Sequence, residues 1–176
     1  EYITKDEISR DSMYLSEGKS KEYMLNSTSM NVMQRIKITV QWKDEAELPA
    51  NRLRSYENRP DTFNVSVTGD NISVFSQTSN PIGGAGTISL TVDIEKDYLN
   101  EVTGEFNISV FVTMVEADMW VPSIGPGFIG LSDAGNEYNI NMEITRLQSE
   151  YYKEPVEEEE EVSENDDDNA MDIEIF

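Results

Sequence analysis

The chain has 176 residues, with 35 acids against 13 Lys and Arg and a net charge of -22. That balance excludes DNA, RNA and anionic membrane surfaces as partners, all of which require positive potential at close range. The chain has no cysteine and no histidine, which excludes disulfides, thiolate or imidazole zinc ligands, and every catalytic triad built on His or Cys.

In chain order, residues 1 to 20 mix Lys5, Asp6, Glu7, Arg10 and Asp11 with isolated apolar residues and hold no sustained period. They read as an N-terminal leader with one short strand at most, ahead of a β-domain over 21 to 150. Tyr23 and Leu25 then alternate with polar neighbours, and Ile36, Ile38, Val40 and Trp42 alternate with Arg35, Lys37, Thr39 and Gln41, as a half-buried strand does. Residues 43 to 61 carry Pro49 and Pro60 and read as a long loop. Phe63, Val65 and Val67, the Gly69-Asp70 pair, then Ile72 and Val74 spell a hairpin.

Further along, Ile88, Leu90, Val92 and Ile94 make the next strand, and Phe106, Ile108, Val110, Val112 and Met114 the one after it. Residues 116 to 136 carry Pro122, Gly125-Pro126-Gly127, Gly130 and Gly135, a density that disfavours continuous strand or helix. Tyr138, Ile140, Met142 and Ile144 form the last clear strand. From Tyr151 to Phe176 there are twelve acids and one base, an acidic tail with too little apolar surface to offset its ordering entropy, so disorder is expected. Its end, Met171 to Phe176, alternates apolar and acidic residues and has the pattern of a strand that could add to a sheet edge, its own or a neighbour's.

These elements predict an all-β, antiparallel β-sandwich of jelly-roll type. The expected core is Ile36, Ile38, Val40, Trp42, Phe63, Val65, Val67, Ile72, Val74, Ile88, Leu90, Val92, Phe106, Ile108, Val110, Val112, Tyr138, Ile140, Met142 and Ile144. Asn71-Ile-Ser-Val-Phe75 recurs as Asn107-Ile-Ser-Val-Phe111, but no flanking similarity extends the match and no internal repeat is read from it.

Four Asn-x-Ser/Thr triplets, at Asn26, Asn64, Asn71 and Asn107, are candidate glycosylation acceptors, and Asn64, Asn71 and Asn107 are expected on the outward phase of their strands. The same residues also serve as the polar half of an alternating strand. Asp44, Asp61 and Asp118 stand beside loops at strand ends, the oxygen chemistry that a Ca²⁺ site uses, although no Asp-x-Asp-x-Asp-Gly loop is present. Trp120, Phe128 and Ile129 lie in the most apolar loop and are candidate partner contacts. Pairs of carboxylates are unavoidable among 35 acids, so no catalytic residue and no enzyme activity is read from them.

Taken together, Arg35-Ile-Lys-Ile-Thr-Val-Gln-Trp-Lys-Asp-Glu45, Arg59-Pro-Asp-Thr-Phe-Asn-Val-Ser-Val67, Gly86-Thr-Ile-Ser-Leu-Thr-Val92 and Asp133-Ala-Gly-Asn-Glu-Tyr-Asn-Ile140 resemble the extracytoplasmic sandwich domains of membrane-anchored archaeal surface proteins of unassigned function. More remotely the chain is similar to the jelly-roll domains that follow secreted protease domains. The resemblance covers about residues 20 to 147. It implies a non-catalytic structural or adhesive domain at the cell surface, meeting protein or neutral glycan and tied to a membrane through an anchor outside this stretch, with Ca²⁺ as the ion its loop carboxylates would take. A signal peptide or anchor ahead of Glu1 is expected on the same reading. The other function consistent with the tail is an acidic-tailed binding protein or chaperone for basic partners.

Overall fold

The computed structural model describes residues 2–43, 55–57, 60–69, 71–81, 83–94, 105–117, 119–121, 135–150 and 173–176, with the backbone alone at 55–57, 119–121 and 173. Among these residues the chain forms eleven strands and no helix: β1 (Tyr2–Ser16), β2 (Ser20–Ser27), β3 (Asn31–Lys43), β4 (Ser55–Glu57), β5 (Thr62–Thr68), β6 (Ser73–Ser79), β7 (Ala85–Asp93), β8 (Phe106–Glu116), β9 (Met119–Val121), β10 (Gly135–Gln148) and β11 (Ile173–Ile175).

One sheet has the order β1-β10-β3-β7 and the other β11-β2-β8-β5-β6, while β4 and β9 form a separate two-stranded ladder. The pairings nest. β5 meets β6, β3 meets β7, β2 meets β8 and β1 meets β10, all antiparallel, as if one long hairpin had been folded over into two layers. Added pairs β10 with β3 and β8 with β5 knit neighbouring layers of the hairpin into each sheet. Eight strands connected in this way are a jelly roll.

Alternation explains which residues meet between the sheets. Ile38 lies between Met142 and Leu90, Val40 between Ile140 and Ile88, and Val67 between Val110 and Val74, so each inward residue sits in a row of inward residues across its sheet. Seventeen of the expected core residues are buried, a saving of roughly 1.5–3 kcal/mol for each large apolar side chain removed from water. Ile72, Val74 and Leu90 are not in that buried set: Val74 is 36% exposed, and Ile72 and Leu90 pack half-buried against the core. The reason is position: Val74 and Leu90 are on β6 and β7, edge strands with one neighbour each, and Ile72 is in the turn before β6. Leu15, Tyr23, Leu25, Met33, Ile94, Met114 and Ala117 complete the core.

Two sequence expectations need correction. The segment read as a leader supplies β1, a 15-residue strand paired along nearly its whole length with β10. The two segments read as irregular each contain a short strand, β4 and β9, which pair with each other. The alternating end of the acidic tail forms β11, parallel to β2 on the edge of its own sheet, the first of the two edges its pattern allowed. The boundary at Tyr151 and the charge runs after it lie outside the described residues.

The two Asn-Ile-Ser-Val-Phe segments flank β5 in the same register. Thr68 faces Ser73 on one side and Ser109 on the other, Val67 faces Val74 and Val110, and Ser66 faces Phe75 and Phe111. Equal pattern in equal surroundings produces equal phase. Burial differs because β8 is central and β6 is an edge: Val110 is fully buried where Val74 is 36% exposed, and Phe111 is half-buried where Phe75 is exposed.

Candidate interaction surfaces

Asn26, Asn64 and Asn107 lie on the outer phase of β2, β5 and β8, all in the sheet that contains β11. Asn26 and Asn107 are direct cross-strand partners. Asn71 is not on a strand. Gly69 and Ile72 exchange backbone hydrogen bonds across the β5–β6 turn (2.9 and 3.4 Å), and Asn71 sits exposed in that turn. The turn abuts β8, because a Cβ on Gly69 would lie 3.5 Å from the Asn107 carbonyl oxygen. Asn26, Asn71 and Asn107 therefore gather at one end of this sheet, with Asn64 farther along β5 opposite Thr113.

None of the four triplets falls on the other sheet. Its outer face presents Ser9, Thr39, Gln41, Thr87, Ser89, Thr91, Asn139 and Asn141, with the exposed ion pairs Lys5–Glu143 (3.3 Å) and Arg35–Asp93 between strands. At one end of this face, Ser12, Tyr14, Gln41, Trp42, Lys43, Asn136, Glu137, Tyr138 and Asn139 line an open groove of about 450 Å³. A bulge in β1 between Arg10 and Met13 shapes one wall. Ser12 takes a left-handed φ of 53° there, and its N–H donates to Asn139 Oδ1 at 2.8 Å. Trp42 is 4% exposed, its Nε1 is buried with no hydrogen-bond acceptor among the described residues, and its indole occupies the place a Cβ on Gly86 would need. The lining offers amides, hydroxyls, three aromatic rings and one charge of each sign, Lys43 and Glu137, a chemistry suited to a polar group of no net charge.

A buried polar cluster closes this end of the sandwich. Asn136 Nδ2 donates to Asp61 Oδ2 (2.5 Å) and to the Lys43 carbonyl (3.0 Å), and Asn80 N donates to the Asp61 carbonyl (3.1 Å). Asp61 and Asn136 together thus join the ends of β3, β5, β6 and β10. The other two carboxylates considered with it for Ca²⁺, Asp44 and Asp118, lie outside the described residues, as do Phe128 and Ile129. No group of three or more His, Cys, Asp or Glu that could hold a metal converges among the described residues. Trp120 is on β9, its backbone opposite that of Tyr56 on β4, so a ladder joins the two long segments.

From the groove an aromatic chain crosses the core to the end of β11. Trp42 meets Phe63 with ring centroids 4.8 Å apart, Phe63 meets Tyr138 at 5.7 Å, the Tyr138 and Tyr23 hydroxyls share a hydrogen bond at 2.9 Å, and Tyr23 stacks on Phe176 at 6.5 Å. Burial raises the pKa of both Tyr23 and Tyr138 above the usual tyrosine value, and for Tyr138 the shared hydrogen bond raises it further. Arg10 of β1 closes the chain: its guanidinium lies 4.9 Å from the Phe176 ring centroid and donates to Glu174 Oε1 from Nε (3.0 Å) and Nη2 (2.9 Å). Sequence reasoning singled out the terminal segment but not Arg10, whose partner is 164 positions away. The one available signal was a cation on the inward phase of an edge strand.

A scan against protein-family models finds no match, and a search among curated proteins finds none.

Proposed function

We propose that this chain is a non-catalytic structural or adhesive domain of a cell-surface or envelope protein, working outside the cytoplasm, in the manner of the archaeal surface sandwiches it resembles. The observation that carries the reading is the segregation of all four Asn-x-Ser/Thr triplets to one sheet and its turn. Glycans attached there would cover one face and leave the Ser/Thr/Asn/Gln face and its groove clear for a protein or a neutral glycan. The net charge of -22 keeps such a surface away from nucleic acid and anionic lipid, so membrane attachment would come through an anchor outside this stretch.

Peptide mapping by mass spectrometry on protein produced in its native host tests this. Hexose-bearing peptides containing Asn71 or Asn107, the two exposed acceptors, are the expected result. Unmodified peptides at all four positions, in protein recovered from the cytoplasm, would overturn it.

A second reading, an acidic-tailed binder of basic partners, is favoured by the twelve acids against one base after Glu150. Replacing the eleven acids of residues 154–172 with Gln or Asn, at unchanged length so that β11 is retained, separates the two. A surface domain keeps its partner, whereas a polyanionic arm loses it together with the salt dependence of binding.

A further inference from the structure

We propose that the edge of β2 is a strand-accepting site specific for a Glu-Ile-Phe end, and that a second copy of this chain fills it by exchanging its C-terminal strand. The site is built in the body and recognises three features of its occupant. Backbone pairing aligns Ile173 with Glu22, Glu174 with Tyr23 and Ile175 with Met24, and continues through Phe176 N–H to the Met24 carbonyl (3.0 Å) and Asn26 N–H to the Phe176 carbonyl (3.2 Å). Arg10 clamps the Glu174 carboxylate with two hydrogen bonds. Tyr23 and the Arg10 guanidinium hold the Phe176 ring between them. This is strand addition with a charged and an aromatic selector.

Nothing in the contacts requires the strand to come from the same copy. The 22 residues from 151 to 172 reach up to about 75 Å when extended. The span to be bridged runs from Ser149, bonded to the Met30 carbonyl, to Ile173 beside Glu22, and is roughly 20 Å by strand and sheet spacing. A tether that long presents its own strand at about millimolar effective concentration. Copies held at comparable density, as in a surface array, exchange strands reciprocally at no cost in contacts.

Complementary charge reversal tests the exchange. One variant carries Arg10→Glu and the other Glu174→Arg, so each holds like charges at its own site while the two together restore both pairs across a reciprocal dimer. Sedimentation velocity at about 100 µM is expected to show either variant monomeric and the mixture dimeric, an affinity gain of about a hundredfold over the unmodified chain for two restored pairs. A mixture that stays monomeric to millimolar concentration, with both variants folded by circular dichroism, would overturn the proposal.

A second experiment leaves the charges intact and uses the absence of native cysteine. Met24→Cys in one copy and Ile175→Cys in another occupy register partners at a spacing a disulfide can bridge. Oxidation of the mixture near millimolar concentration is expected to yield covalent heterodimer. A yield no higher than that of a control pairing Gln77→Cys with Met24→Cys would refute exchange.

Discussion

Tyr23 and Tyr138 meet hydroxyl to hydroxyl between the sheets, each supplying the other's hydrogen bond. Tyr138→Phe leaves the Tyr23 hydroxyl without that partner and is expected to destabilise the fold by about 1–3 kcal/mol in urea unfolding, whereas the Tyr23→Phe, Tyr138→Phe double variant recovers most of the loss. The same pair sets an alkaline limit. Both folded-state pKa values are raised, chiefly by burial, so the fold keeps both protons while the unfolded chain ionises near pH 10. Stability is complete below that pH and falls above it, by up to about 1.4 kcal/mol per pH unit for each group. Tyrosine absorbance near these residues should therefore rise only together with loss of the β-sheet circular dichroism signal. Gly86 is equally constrained, because the Trp42 indole fills the space of its missing side chain. Gly86→Ala should cost about 1–3 kcal/mol by the same urea assay.

β1 shows how an edge strand can hide from a periodic reading. Its inward phase runs Thr4, Asp6, Ile8 and Arg10, then slips at the bulge to Met13 and Leu15. Inward charges tolerate this position only because each finds a partner: Asp6 accepts from Arg146 Nε at 2.8 Å and Arg10 pairs with Glu174. Such charges also blunt the edge against pairing with another chain. Arg146, with a side chain 7% exposed, donates as well to the carbonyls of Asn26 (2.8 Å) and Asn31 (3.4 Å), tying β10 to the β2–β3 turn. Arg146→Leu should cost about 2 kcal/mol, and Asp6→Asn less, since the Asp6 side chain is 50% exposed and the two carbonyl bonds persist. Equilibrium denaturation of the two variants checks the order. By contrast β3, β5, β8 and β10 were legible because β-branched or aromatic residues occupy one unbroken phase and face a full core. The four Asn-x-Ser/Thr positions were legible as positions. Their gathering on one sheet was not, because it depends on strand order, and neither was the Arg10–Glu174 contact, which depends on the two sheets closing on each other.

For the molecule as a whole, the two sheets differ in what borders them. One ends in β1, guarded by inward charges, and the other ends in β11, a strand of three residues that covers β2. Truncation after Glu150 removes half of the net negative charge and uncovers the β2 edge. It is expected to lower the thermal midpoint and to bring on light scattering at the transition, since an unpaired strand edge with less charge repulsion invites association. The nested pairing also has a kinetic side. The β5–β6 turn joins strands close in sequence, while Tyr2 pairs with Gln148 at the far end of the β-domain. Contacts of such high sequence separation slow folding toward the millisecond-to-second range. During synthesis β1 is made before every strand it will join, and it waits as an unpaired edge until β10 has followed it.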